Sequence, residues 1–387
     1  MKTQITLQWR NIPILKILLV WILFVFVGLN SSAQNIQNTL IENWINGNWQ
    51  NSAQSFNTYD GSNYLTNTVS QSWVIPSGPW ENALQLKFTN NPDGTVNQTL
   101  GQTWDIGTGT WNDAQRITYT YNAAKKMLTG VTELWTGAWQ NFQRQTNTYD
   151  GSNYLTNTVF QNWDFISSIW KNSTQTSYAN NANGTVNQSV TQTWDITNVW
   201  VNNERTSYTY NASNNVLTAV TEMWTGTNWL NDNRQTNTYG AGGFITNELS
   251  QIWNATSSTW VNQSQSLYTN NGSGKTTQII IQSWDMGASV WNNSQRITFN
   301  YTLGISEWIK ENGIALYPNP AEDHINLKTN ELLHGSVYSI NDQTGRQIQM
   351  GTLNLETTEM DISKLSPGVY YLKIGSSSKH AIKIIKK

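Results

Sequence analysis

Residues 186–210 read VNQSVTQTWDITNVWVNNERTSYTY. Leading into Trp194, the positions Val186, Val190 and Trp194 fall on one parity, with Gln192 two residues before the tryptophan. That is a period of two, the period of a strand. Leading out of Trp200, Asn202, Tyr208 and Tyr210 share the parity of their tryptophan and predict a second strand with its aromatics on the tryptophan face. The opposite parity then carries Thr, Ser, Gln and the arginines Arg116, Arg144, Arg205, Arg234 and Arg296. Between the two tryptophans lies ITN, turn chemistry, so the stretch reads as a β-hairpin.

The same hairpin recurs along the chain. First tryptophans stand at Trp44, Trp73, Trp104, Trp135, Trp163, Trp194, Trp224, Trp253 and Trp284, spaced 28 to 31 residues apart. A second follows each by four to seven residues, as Trp111 follows Trp104, Trp200 follows Trp194 and Trp291 follows Trp284. Two residues after the second comes Asn in eight units, Asn202 and Asn293 among them, and Asp113 in the other. An amide on an apolar face needs partners, and turn or strand backbone groups are the expected ones. A ligand contact is the alternative for these asparagines.

A longer period overlies the short one. NTYDGSNYLTNTV stands at 57–69 and, unchanged, at 147–159, and returns at 237–249 as NTYGAGGFITNEL. Units with Glu two before the first tryptophan (Glu42, Glu133, Glu222) start each three-unit block. Block duplication would leave this trace, and so would a superhelix with three hairpins per turn. The fold expected from these readings is all-β: a continuous antiparallel β-hairpin repeat array of nine units of about 30 residues, forming an extended sheet or solenoid.

Eighteen tryptophans in strand register invite a stacking site for sugars or quaternary amines. The same face, however, holds nearly all the large apolar groups available to the repeats. Small hairpins must pool such surface to make a core. Trp104, Trp111, Trp194, Trp200, Trp284, Trp291 and their equivalents are therefore read as a structural ladder of core aromatics.

Composition narrows the function classes. Of 387 residues only 12% are charged, and there is no cysteine, which excludes disulfides and thiolate metal sites. From residue 34 on, 19 basic residues face 24 acidic ones, so the field that attracts nucleic acid is absent. His324, His334 and His380 all lie beyond the repeats, and no GxSxG, P-loop or HExxH motif occurs. Asp105, Asp164, Asp195 and Asp285 sit at hairpin turns, where aspartate serves the turn itself. The reading is a non-enzyme without cofactor or metal.

The ends specify a route. Lys2, Arg10 and Lys16 precede or flank ILLVWILFVFVGL at 17–29, and NSSAQ follows, with Ser31 and Ala33 at the small-residue positions of a cleavage site. Thirteen apolar residues fall short of the roughly 20 needed to span a bilayer, so 1–33 reads as a signal peptide cut after Ala33, leaving no transmembrane span. The repeats occupy 34–305. Beyond Trp308 the composition shifts, and seven short alternating runs, IALY, HINLK, SVYSI, RQIQM, EMDISKL, GVYYLKI and HAIKII, predict a small Ig-like β-sandwich within 306–387.

LYPNPAEDHINLK (316–328), VYSINDQTGRQI (337–348), MDISKLSPGVYYLKI (360–374) and the terminal AIKIIKK resemble the type A C-terminal sorting domain of the type IX secretion system of Bacteroidetes. The matching positions are Tyr317, Pro318, Asn319 and Pro320, then Gly345 and Arg346, then Gly368, Val369 and Tyr370. The resemblance implies export through the periplasm to the outer cell surface or beyond. It also implies recognition by the type IX machinery and removal of the domain by its sortase-like peptidase near 302–313. YTYNAAKKMLTGV (119–131) and YTYNASNNVLTAV (208–220) are loosely similar to YD repeats of Rhs-type shell proteins, and the Trp-turn-Trp hairpins to choline-binding repeats. The function expected is a secreted or surface β-repeat protein serving binding or adhesion, with surface glycan as partner; the alternative is a structural spacer or coat component without a ligand.

Overall fold

The computed structural model describes residues 35–74, 78–301, 314–330, 333–353, 356–375 and 381–387. The expected signal peptide with its Ala33 cleavage point, and the expected processing linker at 302–313, lie outside these residues. The chain divides after Tyr301 into two compact units, each described by itself.

In the first three-unit block, β1 (Ile36–Ile45) is followed by β2 (Asn48–Tyr59), β3 (Leu65–Trp73), β4 (Trp80–Asn90), β5 (Val96–Asp105) and β6 (Thr110–Tyr121). The second holds β7 (Met127–Trp135), β8 (Trp139–Tyr149), β9 (Leu155–Asp164), β10 (Ile169–Asn180), β11 (Val186–Trp194) and β12 (Trp200–Tyr210). The third holds β13 (Val216–Trp224), β14 (Trp229–Tyr239), β15 (Ile245–Asn254), β16 (Thr259–Asn270), β17 (Thr276–Asp285) and β18 (Val290–Tyr301). Every strand pairs antiparallel with the next, and β18 returns to β1 with Ile41 opposite Ile297.

The expected extended sheet or solenoid is therefore not what forms: the eighteen strands close into one antiparallel β-barrel. An open array would leave two rows of backbone N–H and C=O groups unpaired at its ends, and closure removes both edges. The barrel likewise departs from the tandem hairpin run that the YD resemblance implies.

The two faces of the sheet also differ from those that parity predicts. In each hairpin the strand after the second tryptophan carries one extra residue, a β-bulge. Thus Gln192 pairs with Asn202 but Thr191 with Glu204, leaving Asn203 unpaired. The same slip occurs at Ser52, Ala83, Ala114, Phe142, Ser173, Asp232, Gln263 and Ser294. One extra residue inverts the alternation beyond it. The arginines thereby join the tryptophan face, and Tyr208 and Tyr210 turn to the opposite one. A second slip near the other end, such as Thr209 opposite Thr218 but Tyr210 opposite Val216, places Val186, Val216 and their equivalents on the tyrosine face too.

Of the thirteen buried residues described in the barrel, eleven lie on the tyrosine face, among them Ser55, Leu86, Thr99, Gly130, Ile279 and Phe299; Glu42 and Gln102 are the two on the tryptophan face. Side chains on the concave wall of a barrel converge and shield one another, whereas those on the convex wall splay. The tyrosine face therefore lines the lumen, and the tryptophan face is the outer wall.

With the faces so placed, the tryptophans are not the core that the sequence predicts. Trp104, Trp111, Trp194, Trp200, Trp284 and Trp291 are half-buried, none of them enclosed, and Trp135 is exposed. They stand on the convex wall, where each ring is shielded by its immediate neighbours and keeps part of its surface in solvent. The ladder is structural in its contacts, but it is not the interior of the barrel.

The C-terminal domain keeps the seven expected strands. β19 (Ala315–Tyr317), β20 (His324–Lys328) and β23 (Thr357–Asp361) form one sheet. β22 (Gln347–Thr352), β21 (Val337–Asn341), β24 (Gly368–Ile374) and β25 (Ala381–Lys386) form the other. Between them Ile325, Leu327, Ile340, Leu372 and Ile384 are fully enclosed, a sandwich core built from alternate residues of each strand.

Candidate functional site

On the outer wall each hairpin closes on its two tryptophans, which face each other directly across the strands. Trp104 is opposite Trp111, Trp194 opposite Trp200, and Trp284 opposite Trp291. The ring centroids of Trp104 and Trp111 lie 4.9 Å apart, those of Trp194 and Trp200 4.8 Å, and those of Trp284 and Trp291 4.8 Å, all in edge-to-face geometry. Guanidinium groups cover several second rings from the neighbouring hairpin: Arg116 lies 4.6 Å over Trp139, Arg205 4.9 Å over Trp229, and Arg296 4.9 Å over Trp49. Where arginine lies over the ring, at Trp49, Trp139, Trp170, Trp229 and Trp260, edge contact within the pair and a cation over one face occupy surfaces on which a ligand ring would stack.

Below the tryptophans runs a belt of polar side chains. The amide of Gln192 donates to Asn202 Oδ1 at 2.9 Å, and that of Gln282 to Asn293 Oδ1 at 2.9 Å. In the glutamine-type units the asparagine oxygen thus accepts from a glutamine side chain across the hairpin, a partner that the sequence reading, with its turn or strand backbone groups, did not name. Where Glu replaces Gln, Arg is its partner. Arg116 makes a bidentate pair with Glu133, 2.7 and 2.8 Å, Arg205 bonds Glu222 at 2.8 Å, and Arg296 pairs with Glu42 at 2.6 and 2.7 Å. Sequence reasoning set these arginines on the wrong face and so missed the pairs. Their signal was present: Arg116 and Arg205 each precede their glutamate by 17 residues.

The lumen side has its own repeated contact. The last residue of each hairpin donates to the carbonyl at the start of its partner strand. Tyr121 Oη reaches Val96 O at 2.8 Å, Tyr210 Oη reaches Val186 O at 2.7 Å, and Asn180 Nδ2 reaches Leu155 O at 2.8 Å. The bulge beside that carbonyl frees it from the ladder, and the side chain satisfies it. Burial pushes the Tyr119 hydroxyl up, and that of Tyr268 up to about 12, first by burial and then by the carboxylate of Glu248. Glu248, part-buried on the lumen wall, is itself raised by burial, against a hydrogen bond from Tyr268.

The two rims differ in chemistry. At the tryptophan rim, turn residues Ile106, Phe165, Ile166, Ile196 and Met286 are 68%, 57%, 98%, 100% and 68% exposed. At the opposite rim the exposed large apolar residues among those described are Leu217 and Phe244. Asp105, Asp164, Asp195 and Asp285 hold the tryptophan-rim turns, as when Asp195 accepts from the N–H groups of Thr197 and Val199 at 2.8 and 3.0 Å. Hydrogen bonds from Val199 N–H first, and then from Thr197, hold the Asp195 carboxyl below the usual range. Among the described residues no group of three or more His, Cys, Asp or Glu could hold a metal.

In the C-terminal domain the YPNP segment lies along the final strand. Asn319 Nδ2 donates to Lys383 O at 2.7 Å, and its Oδ1 accepts from Ile385 N–H at 2.9 Å. One amide thereby mimics a backbone unit of a strand beside β25, continued by Ala321 N–H to Ile385 O at 2.9 Å. Tyr317 is 46% exposed beside this contact, and Pro318 and Pro320 lack the N–H that a ladder would demand. In the β21–β22 turn, Gly345 holds φ +85°, and Asp342 accepts from Thr344 Oγ1 at 2.6 Å and from Arg346 N–H at 3.0 Å. These bonds, the Thr344 hydroxyl foremost, hold the Asp342 carboxyl down at about 2. Gly368 opens β24, and Tyr370 Oη donates to Ser366 O at 2.9 Å. The motif positions are thus turn and edge devices, and among them the Asn319 side chain is bonded to the last strand.

Residues 315–387 match the family model described as a secretion system C-terminal sorting domain. No curated protein matches the chain. Among solved structures, a porin-like protein from Bacteroides uniformis is 10% identical, covering 69% of this chain and 98% of its own, at a TM-score of 0.37. A protein of unknown function from Bacteroides fragilis is 15% identical over 32% of this chain and 91% of its own, at 0.29. PorZ of Porphyromonas gingivalis, described as an essential surface component of the type IX secretion system, is 9% identical over 88% of this chain and 68% of its own, at 0.17. Scores this low carry no argument about the barrel. Residues 315–387 are a secretion system C-terminal sorting domain, and the chain that carries it is exported by the type IX secretion system to the cell surface or beyond.

Proposed function

We propose that the barrel is a non-catalytic attachment module, presented at the cell surface by the sorting domain and binding through its tryptophan rim. The observation that carries this reading is where unsatisfied surface remains. Along the walls the repeated polar groups find partners within the barrel, and the indoles are engaged by each other and by arginine. Among the described residues the most exposed large apolar side chains of the barrel stand at the tryptophan rim, Ile166 and Ile196 foremost, while on the walls the buried side-chain oxygens of Gln85, Gln102 and Asn157 are left without a partner. Removal of the sorting domain by a sortase-like peptidase would leave the barrel as the displayed part. A glycan, as partner, would be held by hydrogen bonds from Thr and Asn rows rather than by stacking on indoles.

The second reading, a spacer or coat component without a ligand, is favoured by the same saturation of the walls. Binding of the purified secreted chain to whole cells, isolated envelopes and a glycan array separates the two. Saturable binding to any of them, lost on replacing Ile166 and Ile196 by Ser, supports attachment. Absence of binding to all three supports the spacer.

A further inference from the structure

We infer that the tryptophan rim seats on a lipid surface with neutral headgroups, a reading that deepens the attachment function and rests on it. The apex residues have no role in the fold. Turn geometry is met by the aspartate and by the later positive-φ residue, Gly109, Ser168, Asn198 or Ser289. Turns ordinarily take polar residues, yet Ile106, Phe165, Ile196 and Met286 all occupy the position two after a first tryptophan, and Ile166 and Ile196 are essentially fully exposed. In the glutamate-type units the same position holds Asn46, Gly137 and Gly226, in shorter turns.

Three features select lipid over a protein partner. Like hairpins recur round one rim of the closed ring, with shorter polar turns between their apolar tips, so the separate tips suit a plane, where a protein groove would require a contiguous patch. Directly behind the tips stands the girdle of paired tryptophans, the side chain that favours the boundary between apolar and aqueous phases. The charges at the rim are mostly acidic, Asp105, Asp164, Asp195 and Asp285 against Lys171, which pairs with Asp164. An acidic rim is repelled by anionic headgroups, so apolar insertion into a zwitterionic interface is the mode that fits. The outer wall, crossed by the arginine and amide belt, lacks the apolar band of a membrane-spanning barrel, so contact stops at the rim. Among the described residues no helix is long and apolar enough to cross a membrane.

The test is flotation of the secreted chain with phosphatidylcholine vesicles, with and without added phosphatidylglycerol, over a range of salt. The wild-type chain is expected to float with phosphatidylcholine independently of salt. The variant Ile106→Ser/Phe165→Ser/Ile166→Ser/Ile196→Ser is expected to lose binding by at least about tenfold. Leu217→Ser, at the opposite rim, is expected to bind as wild type, and matching thermal melts establish that the variants fold. Absence of flotation, flotation unchanged in the apex variant, or binding that needs phosphatidylglycerol and vanishes with salt would each overturn the proposal. So would a dimer by ultracentrifugation that the apex variant dissolves, since the tips would then serve a second copy. Binding to whole cells without flotation would leave the attachment reading standing and remove the lipid.

Discussion

The thirteen-residue phrase that appears twice unchanged is explained residue by residue. Asp60 accepts from the N–H groups of Ser62 and Tyr64 at 2.8 and 2.9 Å, and Asn63 takes φ 63°, so DGSN closes a turn by its own side chains. Tyr64 then lies against Gly94 of the next turn, where a Cβ would fall 2.5 Å from the ring. Tyr154 against Gly184 and Phe244 against Gly274 repeat the contact, which accounts for the aromatic that the third copy keeps. Gly94→Ala is expected to lower stability by more than about 2 kcal/mol, since it adds a ring clash to the cost of positive φ. Gly47→Ala, also at positive φ but with nothing within 4 Å, should cost only the latter. Equal losses in urea unfolding would contradict the stacking. Glu248 supplies a test with a sign. Its folded pKa is raised by burial, so above the ordinary carboxylate range the folded state holds more protons than the unfolded, and stability falls as pH rises through that window. Glu248→Gln should raise the melting temperature at neutral pH and lose that advantage near pH 4; a gain at both pH values would contradict the assignment.

At the scale of the hairpin, the sequence was legible in everything except its phase. Strands, turns and the tryptophan pairing follow from alternation and turn residues, and all seven C-terminal runs became strands. The faces did not follow, because parity counts through a bulge as though the strand were regular. The same error made Trp111 and Trp291 look like core: with the tyrosines counted on their side, the tryptophan face seemed to hold every large apolar group. The extra residues themselves give no warning: Ala114, Phe142, Asn203 and Asp232 share no chemistry. A different clue was available. The residue five after each second tryptophan is always Gln or Arg, among them Gln54, Arg116, Arg205 and Arg296, and its pairing with the residues across the hairpin is met only with a break in alternation. Deleting Asn203 restores an unbroken alternation in which Glu204 stays opposite Thr191 and Arg205 opposite Val190, so Arg205 should keep its bond to Glu222. The loss by chemical denaturation should then stay under about 2 kcal/mol. A loss of about 3–5 kcal/mol, the cost of a broken buried charge pair, would contradict this assignment of the extra residue.

At the scale of the whole molecule, three like blocks closed on themselves give the 90-residue period its meaning. Arg116 meets Glu133 and Arg205 meets Glu222, each 17 residues on, while 17 residues after Arg296 the sequence has Gly313 and 17 before Glu42 it has Val25. The orphans at the two ends complement each other, and the barrel joins them in the geometry of the internal pairs. Closure was thus written in the sequence as an unpaired donor and an unpaired acceptor, legible only once the arginines stood on the correct face. Arg296→Glu should therefore destabilise as much as Arg116→Glu, by about 2–4 kcal/mol, and adding Glu42→Arg should recover most of the loss. In an open array the end position would tolerate the change.

The most direct test of closure uses the absence of cysteine from the chain. Leu40 and Thr298 are opposite one another across the β1–β18 seam, on the outer wall. A Leu40→Cys/Thr298→Cys variant, oxidised mildly at low concentration, has its two thiols on facing residues of adjacent strands, within reach of a disulfide. The closed barrel predicts near-complete intramolecular cross-linking, seen as a mobility shift on non-reducing gels that reductant abolishes. Free thiols, or cross-links only between chains, would contradict it.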